Sequence, residues 1–304
     1  MKQSRKNFIK SSALLAGGLI LSPQDTFARL LSSEPKGFKT LRENFGLFFE
    51  RGGTIGWYVR NDFVMVIDSQ FPDSVANFLT GLRKKTPRKI DILFNTHHHL
   101  DHTSGNFILK NNVLKIVAQE NCPILQKQAN EGTPRESEQV YADITFGTLW
   151  KQFVGNEIIK ARHYFPAHTG GDAVIQLEYL NVAHMGDLVF NKVYPFIDLE
   201  GGGNIEGWIK FLDKCIDLFT RDTLIVFGHG LNEDHLYGNK LDLAYQRDYL
   251  SALMDYVKKE ISKGKSRDEI LLAEAIPGFE IMTGLWDDAL KMNLNAAYTE
   301  LGGQ

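Results

Sequence analysis

The sequence predicts an α/β fold. Three observations carry this: short β-prone runs separated by an amphipathic stretch, an apolar strand ending in a dense histidine cluster, and a second group of strands that leads into helices. Phe45 to Glu50, Thr54 to Arg60 and Phe63 to Asp68 read as strands, and Asp73 to Lys85 is a polar amphipathic stretch. Ile90 to Asn95 is apolar and β-prone, and a further strand-like run follows at Leu114 to Ala118. From Thr148 to Phe190 four runs succeed one another: Leu149 to Val154, Glu157 to His163, Ala173 to Tyr179 and Val182 to Phe190. Turn signals at Gly155-Asn156 and Leu180-Asn181 make them an antiparallel meander. Trp208, Phe211, Leu212, Cys215, Leu218 and Phe219 fall at helical spacing, which places Cys215 on the dry stripe as a core thiol. A last buried strand, Thr223 to Phe227, runs into Gly228-His229-Gly230. Leu241 to Ile261 and Leu285 to Leu301 are helical by pattern, and Trp286, Leu290, Leu294 and Leu301 recur at a spacing that favours packing on the body of the domain. No repeat, low-complexity tract or linker interrupts residues 40–304, which read as one domain with a helical C-terminal segment.

Composition narrows the function classes. The 304 residues are 43 % hydrophobic and 23 % charged, as in ordinary folded proteins. Lys and Arg number 34 against 37 Asp and Glu, a net charge of −3 that offers no footprint for a nucleic-acid backbone. Two cysteines, Cys122 and Cys215, form no C-x-x-C pattern, so neither a disulfide framework nor a thiolate zinc site is expected. A metal here must use other ligands.

Residues 1–28 read as a signal peptide. Lys2, Arg5, Lys6 and Lys10 make a basic start, Ser11 to Leu21 is a short apolar run, and Thr26-Phe27-Ala28 offers a small-residue cleavage site. The run is about half of the roughly 20 residues a membrane span needs. Ser4-Arg5-Lys6-Asn7-Phe8-Ile9-Lys10 resembles a twin-arginine signal with lysine as the second basic residue. The expected location is periplasmic or otherwise exported, with no stable membrane span.

Asn95-Thr96-His97-His98-His99-Leu100-Asp101-His102 packs four histidines and an aspartate behind an apolar strand. Imidazole and carboxylate suit zinc and similar borderline metals, and strand ends are where α/β proteins place ligands. His97 and His99, two apart, can face one way from an extended segment while Asp101 and His102 turn toward a second position. Three later residues are ligand types on strand-end loops: His168 in Pro166-Ala167-His168-Thr169-Gly170-Gly171-Asp172, Asp187 after Gly186, and His229 between Gly228 and Gly230.

In this order, with gaps of 66, 19 and 42 residues counted from His102, these segments resemble the metallo-β-lactamase superfamily over roughly residues 40 to 235. The resemblance implies a four-layer αβ/βα sandwich. It implies that His97, His99 and His168 hold one metal, that Asp101, His102 and His229 hold the other, and that Asp187 bridges them. Zinc is the expected ion, with iron or manganese as alternatives. Two divalent cations lower the pKa of a shared water from about 15.7 toward about 7, so hydroxide is available at neutral pH without a side-chain nucleophile. Asp101 is the expected catalytic residue that orients the hydroxide and takes up its proton. Asp68 resembles an aspartate that buttresses the histidine loop.

His98 is expected to point away from the metals and His184 to lie on a solvent-facing side of its strand. His163, His235, Lys192, Tyr194 and Trp208 are possible substrate contacts, while Ser33-x-x-Lys36 and Ser262-x-x-Lys265 match the serine-lactamase tetrad by form only. The pattern departs from the best-known broad-spectrum lactamases, which have cysteine at the Asp187 position and lysine three residues later, where this chain has Phe190. Asp187 is similar instead to the hydroxyacylglutathione hydrolase (glyoxalase II) and lactonase pattern, and the glutamate of flavodiiron reductases is absent from the His99 position. The expected activity is metal-dependent cleavage of a small ester, thioester, lactone or β-lactam. The alternatives are a mononuclear iron persulfide dioxygenase and a non-catalytic metal-binding accessory protein.

Overall fold

A computed structural model describes residues 34–302. The signal-like segment 1–28 and Ser33 lie outside the described residues. Lys36–Gln304 forms one compact unit.

The first sheet has seven strands in chain order: β1 (Phe38–Arg42), β2 (Phe45–Phe48), β3 (Ile55–Val59), β4 (Val64–Ile67), β5 (Ile92–Asn95), β6 (Ile116–Gln119) and β7 (Ile144–Phe146). β1 through β4 are antiparallel, joined by short turns, and β4 through β7 run parallel. Parallel neighbours need crossovers, supplied by α1 (Pro72–Lys85), by the short helices α2 (Leu100–Thr103) and α3 (Asn106–Leu109), and by α4 (Asn121–Asn130). The second sheet contains β8 (Leu149–Val154), β9 (Glu157–Arg162), β10 (Val174–Leu177), β11 (Val182–His184), β13 (Leu224–Val226) and β15 (Tyr237–Gly238) in the order β15-β13-β11-β10-β9-β8. β12 (Phe190–Asn191) and β14 (His229–Gly230) form a separate parallel pair. α5 (Ile205–Leu218) carries the crossover from β11 to its parallel neighbour β13, and α6 (Lys240–Ser262), α7 (Arg267–Ile270) and α8 (Ala289–Glu300) complete the chain.

Three buried clusters define four layers. Side-chain alternation along a strand sends Val64 and Val66 to one face of the first sheet, where they meet Phe78 and Leu82 of α1. It sends Met65 and Ile67 to the other, where with Phe94 they meet Ile159, Ile175 and Val226 of the second sheet. Val174, Ala183 and Ile225 face outward again, onto Trp208 and Phe211 of α5 and Tyr249 of α6. The order helix, sheet, sheet, helix is the αβ/βα sandwich that the resemblance implies.

The structure departs from the sequence reading where β7, β15 and the short helix α7 occupy stretches that the pattern did not mark, and at four further places. β1 starts at Phe38, two residues before the expected domain boundary, because Phe38 stacks on Phe78 at 5.4 Å with planes 5° apart. α4 follows β6 in a stretch that the apolar pattern does not mark. The run Val182 to Phe190 is not one strand: β11 stops at His184, and Gly186, with φ 52°, starts a single 3-10 turn over Gly186–Leu188 that swings Asp187 out of the sheet. The last helix begins only at Ala289, after Asp288 in a left-handed conformation (φ 59°), leaving Leu285 and Trp286 in irregular chain. Among the described residues, no helix is long and apolar enough to cross a membrane.

Phe78 is fully buried between α1 and the first sheet, whereas Phe153 on edge strand β8 is 67 % exposed. Phe78→Ala is expected to cost about 3–5 kcal/mol in urea unfolding, and Phe153→Ala less than about 0.5 kcal/mol. Equal costs would contradict the layer assignment.

Candidate metal centre

The carboxyl ends of β4, β5, β11 and β13 deliver Asp68, the His97–His102 loop, Asp187 and His229 to one edge of the sandwich, the position at which parallel strands present ligand sites. His168 joins them from the start of β10, because β10 is antiparallel to β11 and Ile175 lies opposite His184. Hydrogen bonds pin the two sheets together along this edge. Thr54 donates its N–H and Oγ1 to Gly228 O at 2.9 and 3.0 Å, and Ala173 N donates to Thr96 O at 2.7 Å.

Three groups of donor atoms result, each with its atoms within 4.8 Å of one another: His97, His99, His168 and Asp187; Asp101, His102 and His229; and beside the first, sharing His99, a group of His98, His99 and Asp198. In the first, His99 Nδ1 lies 3.1 Å from His97 Nε2 and 3.0 Å from His168 Nε2. In the second, Asp101 Oδ2 is 3.2 Å from His229 Nε2 and 3.6 Å from His102 Nε2. Asp187 reaches both. Its Oδ1 is 3.1 Å from His102 Nε2, and its Oδ2 is 3.2 Å from His229, 3.6 Å from His168 and 3.8 Å from His97.

The far side of each ring tells which nitrogen is free. His168 Nδ1 donates to Phe196 O at 2.7 Å, His99 Nε2 to Asp198 Oδ2 at 2.9 Å, and His102 Nδ1 to Asp68 Oδ2 at 2.8 Å. His97 Nδ1 meets Thr96 Oγ1 at 3.1 Å. Partners of this kind fix the tautomer and aim the other nitrogen's lone pair inward. Asp68 also accepts from Thr96 N at 2.8 Å and Thr96 Oγ1 at 2.7 Å, so one carboxylate holds both ends of the histidine loop. It does so from a left-handed backbone, φ 62°, a strained conformation that the surrounding bonds enforce.

Asp198 was not legible as a site residue. The only signal is its place just before Gly201-Gly202-Gly203, and the structure explains that run. A Cβ on Gly201 would lie 2.0 Å from Asp198 Oδ2 and 2.9 Å from the His98 ring, so only glycine lets the carboxylate close on His98 and His99. Gly53 is similar: a Cβ there would lie 2.1 Å from His102 Cε1.

His98 stands outside both principal groups, with Nε2 3.5 Å from Asp198 Oδ2. His184 overturns the solvent-facing expectation. It is fully buried, donates from Nε2 to Thr54 O at 3.1 Å and accepts from Gly186 N at 3.1 Å, bracing the turn that carries Asp187. Burial lowers its pKa to about 4, so it is neutral as that pairing requires. Lys192 is exposed, Tyr194 packs on Tyr249, Trp208 donates to Leu188 O in the core, His163 donates to Asp172 O, and His235 pairs with Asn232. None of the five lines the cavity beside the centre. Ser262 donates to Lys259 O and Lys265 pairs with Glu260, so they form no catalytic pair. Cys215 is a buried core thiol whose pKa burial pushes up.

Charge and burial compete throughout the centre. Burial lowers the pKa of His97 far below its ordinary value, with the charge on His102 adding to it, and lowers His168 to about 3. Burial would also lower His102 and His229, but the Asp187 and Asp101 carboxylates outweigh it, raising His102 strongly and His229 to about 9. Burial would raise Asp187 and Asp101, yet the facing imidazoles hold Asp187 far down and Asp101 at about 2. His102 Nε2 and Asp187 Oδ1 are buried without a well-formed hydrogen bond. Five imidazoles and two ionised carboxylates that converge, with His102 and His229 able to give up their protons to an incoming cation, fit two borderline divalent cations.

A cavity of about 810 Å³ opens on the centre, walled by Asp101, Asp187, His229 and Phe196 and by Leu285 and Trp286 of the C-terminal segment. That segment therefore both packs on the body, through buried Leu294, and shapes the pocket.

At pH 7 the facing carboxylates keep both His102 and His229 protonated in the metal-free protein, and ligation needs both Nε2 atoms free, so loading must expel two protons. Metal affinity is expected to rise with pH through about 9. Calorimetric titration in buffers of different ionisation enthalpy counts the protons, and affinity that is flat across this range would contradict the assignment. In the same titration Asp68→Ala is expected to weaken binding about 10- to 100-fold.

Comparison with known proteins shows the family and the fold. The profile of the Metallo-beta-lactamase superfamily matches residues 49–229. A hydroxyacylglutathione hydrolase from Dictyostelium discoideum is 24 % identical over 217 residues, covering 68 % of this chain and 72 % of the relative. The sec-alkylsulfatase Pisa1 from Pseudomonas sp. superposes with a TM-score of 0.66 at 14 % identity over 88 % of this chain. The present chain spans half the length of that enzyme. A metallo-beta-lactamase from Pontibacter korlensis superposes with a TM-score of 0.59 at 17 % identity, over 70 % of this chain and 98 % of the other. The structural likenesses are likenesses of fold. With the profile match spanning more than half of the residues and ending on His229, the chain belongs to the metallo-β-lactamase superfamily.

Proposed function

We propose that the protein is an exported, dinuclear metal-dependent hydrolase acting on a small ester, thioester, lactone or β-lactam. The observation that carries this reading is the carboxylate of Asp187, aimed at both donor groups at once. His97, His99 and His168 would hold one ion, Asp101, His102 and His229 the other, and Asp187 both, with zinc the ion that suits this donor set best. Bound there, the ions would supply Lewis acidity, making water nucleophilic at neutral pH and taking up negative charge on the oxygen of the scissile group.

The chain's own residues support hydrolysis by water. Among the described residues no Ser, Thr, Cys, Lys or Tyr side chain lines the cavity, so its wall offers no hydroxyl, thiol or amine nucleophile to compete with water. Asp101 stands at the cavity, its side chain 23 % exposed, with His229 on one oxygen. It is placed to accept the proton of attacking water and pass it to the leaving group. Asp68 and Asp198 hold the rings of His102 and His99 in orientation. The hydroxyacylglutathione hydrolase relative supports acyl transfer to water. Export rests on the basic, apolar and small-residue layout of residues 1–28.

Residues 29–304 loaded with zinc are expected to bind two ions per chain and to cleave at least one of a nitrocefin, thioester and lactone panel, with Asp101→Asn lowering kcat about 100-fold or more and weakening the binding of one of the two ions. One iron per chain with no hydrolysis would overturn the reading in favour of an oxygenase, and two ions with no turnover in favour of an accessory protein. Fractionation of cells that express the full chain is expected to place it in the periplasm, and retention in the cytosol would overturn export.

A further inference from the structure

The cavity that adjoins the metal centre has an unusual wall. Among the described residues, apart from Asp101, Asp187, His98, His99 and His229, the only polar side chain that lines it is Asn130, and no lysine or arginine lines it. The rest is apolar, chiefly Phe49, Phe196, Leu231, Leu285, Trp286 and Met292. Phe196 links the two regions: its ring lies 5.5 Å from His99 and 6.2 Å from Trp286, and Trp286 Nε1 donates to Met292 Sδ at 3.3 Å. Leu231, Leu285 and Met292 remain 54 %, 41 % and 43 % exposed around the mouth. Apolar side chains gathered in this way and left to water mark a binding surface, and a volume of about 810 Å³ suits a small organic molecule.

We propose that the substrate is an uncharged ester or lactone whose acyl or alkyl portion is apolar and lies along the Phe196–Trp286–Met292 wall; this rests on the hydrolase reading above. An anionic group remote from the scissile bond would be buried against this wall with no cation to pair it, which is costly. The acyl side of a neutral substrate instead gains from each methylene removed from water. In the reaction the oxygen of water bonds to the acyl carbon and the acyl carbon–alkoxy oxygen bond breaks, its electron pair leaving on the alkoxide. A proton of water, relayed by Asp101, neutralises that alkoxide, so that ester and water give carboxylic acid and alcohol with no change of oxidation state.

The test uses metal-loaded protein and two readouts. Hydrolysis of p-nitrophenyl esters from acetate to decanoate reads kcat/KM against chain length, and quenching of tryptophan fluorescence by methyl ketones from 2-butanone to 2-decanone reads binding without turnover. The expected result is a rise of about fourfold per methylene over the first several methylenes in both series, with the ester series reduced to less than about twofold per methylene in Trp286→Ala. A glutathione thioester is expected to be a poorer substrate than the thioester of a neutral alkyl thiol with the same acyl group. Ester turnover that ignores chain length, or preference for the glutathione thioester, would overturn this inference and leave the hydrolase reading standing. Ketone binding that climbs with chain length but no turnover of any ester would overturn the hydrolase reading, and the substrate assignment with it.

Discussion

A carboxylate buried without compensation destabilises a fold by several kcal/mol, and the Asp187 side chain is only 4 % exposed. The rest of the site can be understood as its compensation. His97, His102, His168 and His229 surround it within 3.8 Å, and these rings are held in turn by Thr96, Asp68, Phe196 O and the β14 backbone. Removing any single member leaves a buried charge or an unpaired imidazole. The centre therefore behaves as one unit, and the same convergence of lone pairs that makes it costly without metal makes it a strong ligand set.

Geometry of this quality needs a rigid frame, and the sandwich provides it by bringing strand ends from both sheets to one edge. Thr54, Ala173 and His184 cross from one sheet to the other with backbone-directed hydrogen bonds, so the loops that bear donors are anchored at both ends. The strain at Asp68 is tolerated for the same reason: three hydrogen bonds and full burial hold its carboxylate where the histidine loop requires it.

The pocket has a different origin from the centre. Its metal-facing floor is built by strand-end loops, whereas its outer wall comes from Phe49 and Leu231 and from the irregular stretch that holds Leu285 and Trp286 before α8. Floor and wall thus come from different parts of the chain, so the wall can change without moving the donor residues.

The candidate donor residues that the structure brings together were legible in the sequence, because their pattern depends on residue type and local order. The spacing of His97, His99, Asp101 and His102 is set within one loop, and the glycine-flanked strand ends mark Asp187 and His229. The alternating apolar runs likewise determined the sheets and the faces that α1 and α5 bury. What only the tertiary structure decided are contacts between segments distant in sequence. Asp198 meets His99 across 99 positions, and His184 braces Asp187 by reaching Thr54, 130 positions away; neither partner has a local pattern that announces it. Leu285 and Trp286 read as helix because their apolar spacing is helical, yet the left-handed Asp288 delays the helix and turns them to the cavity. Local pattern specifies which groups are available, whereas side-chain direction and partnership depend on where the chain's other segments come to lie.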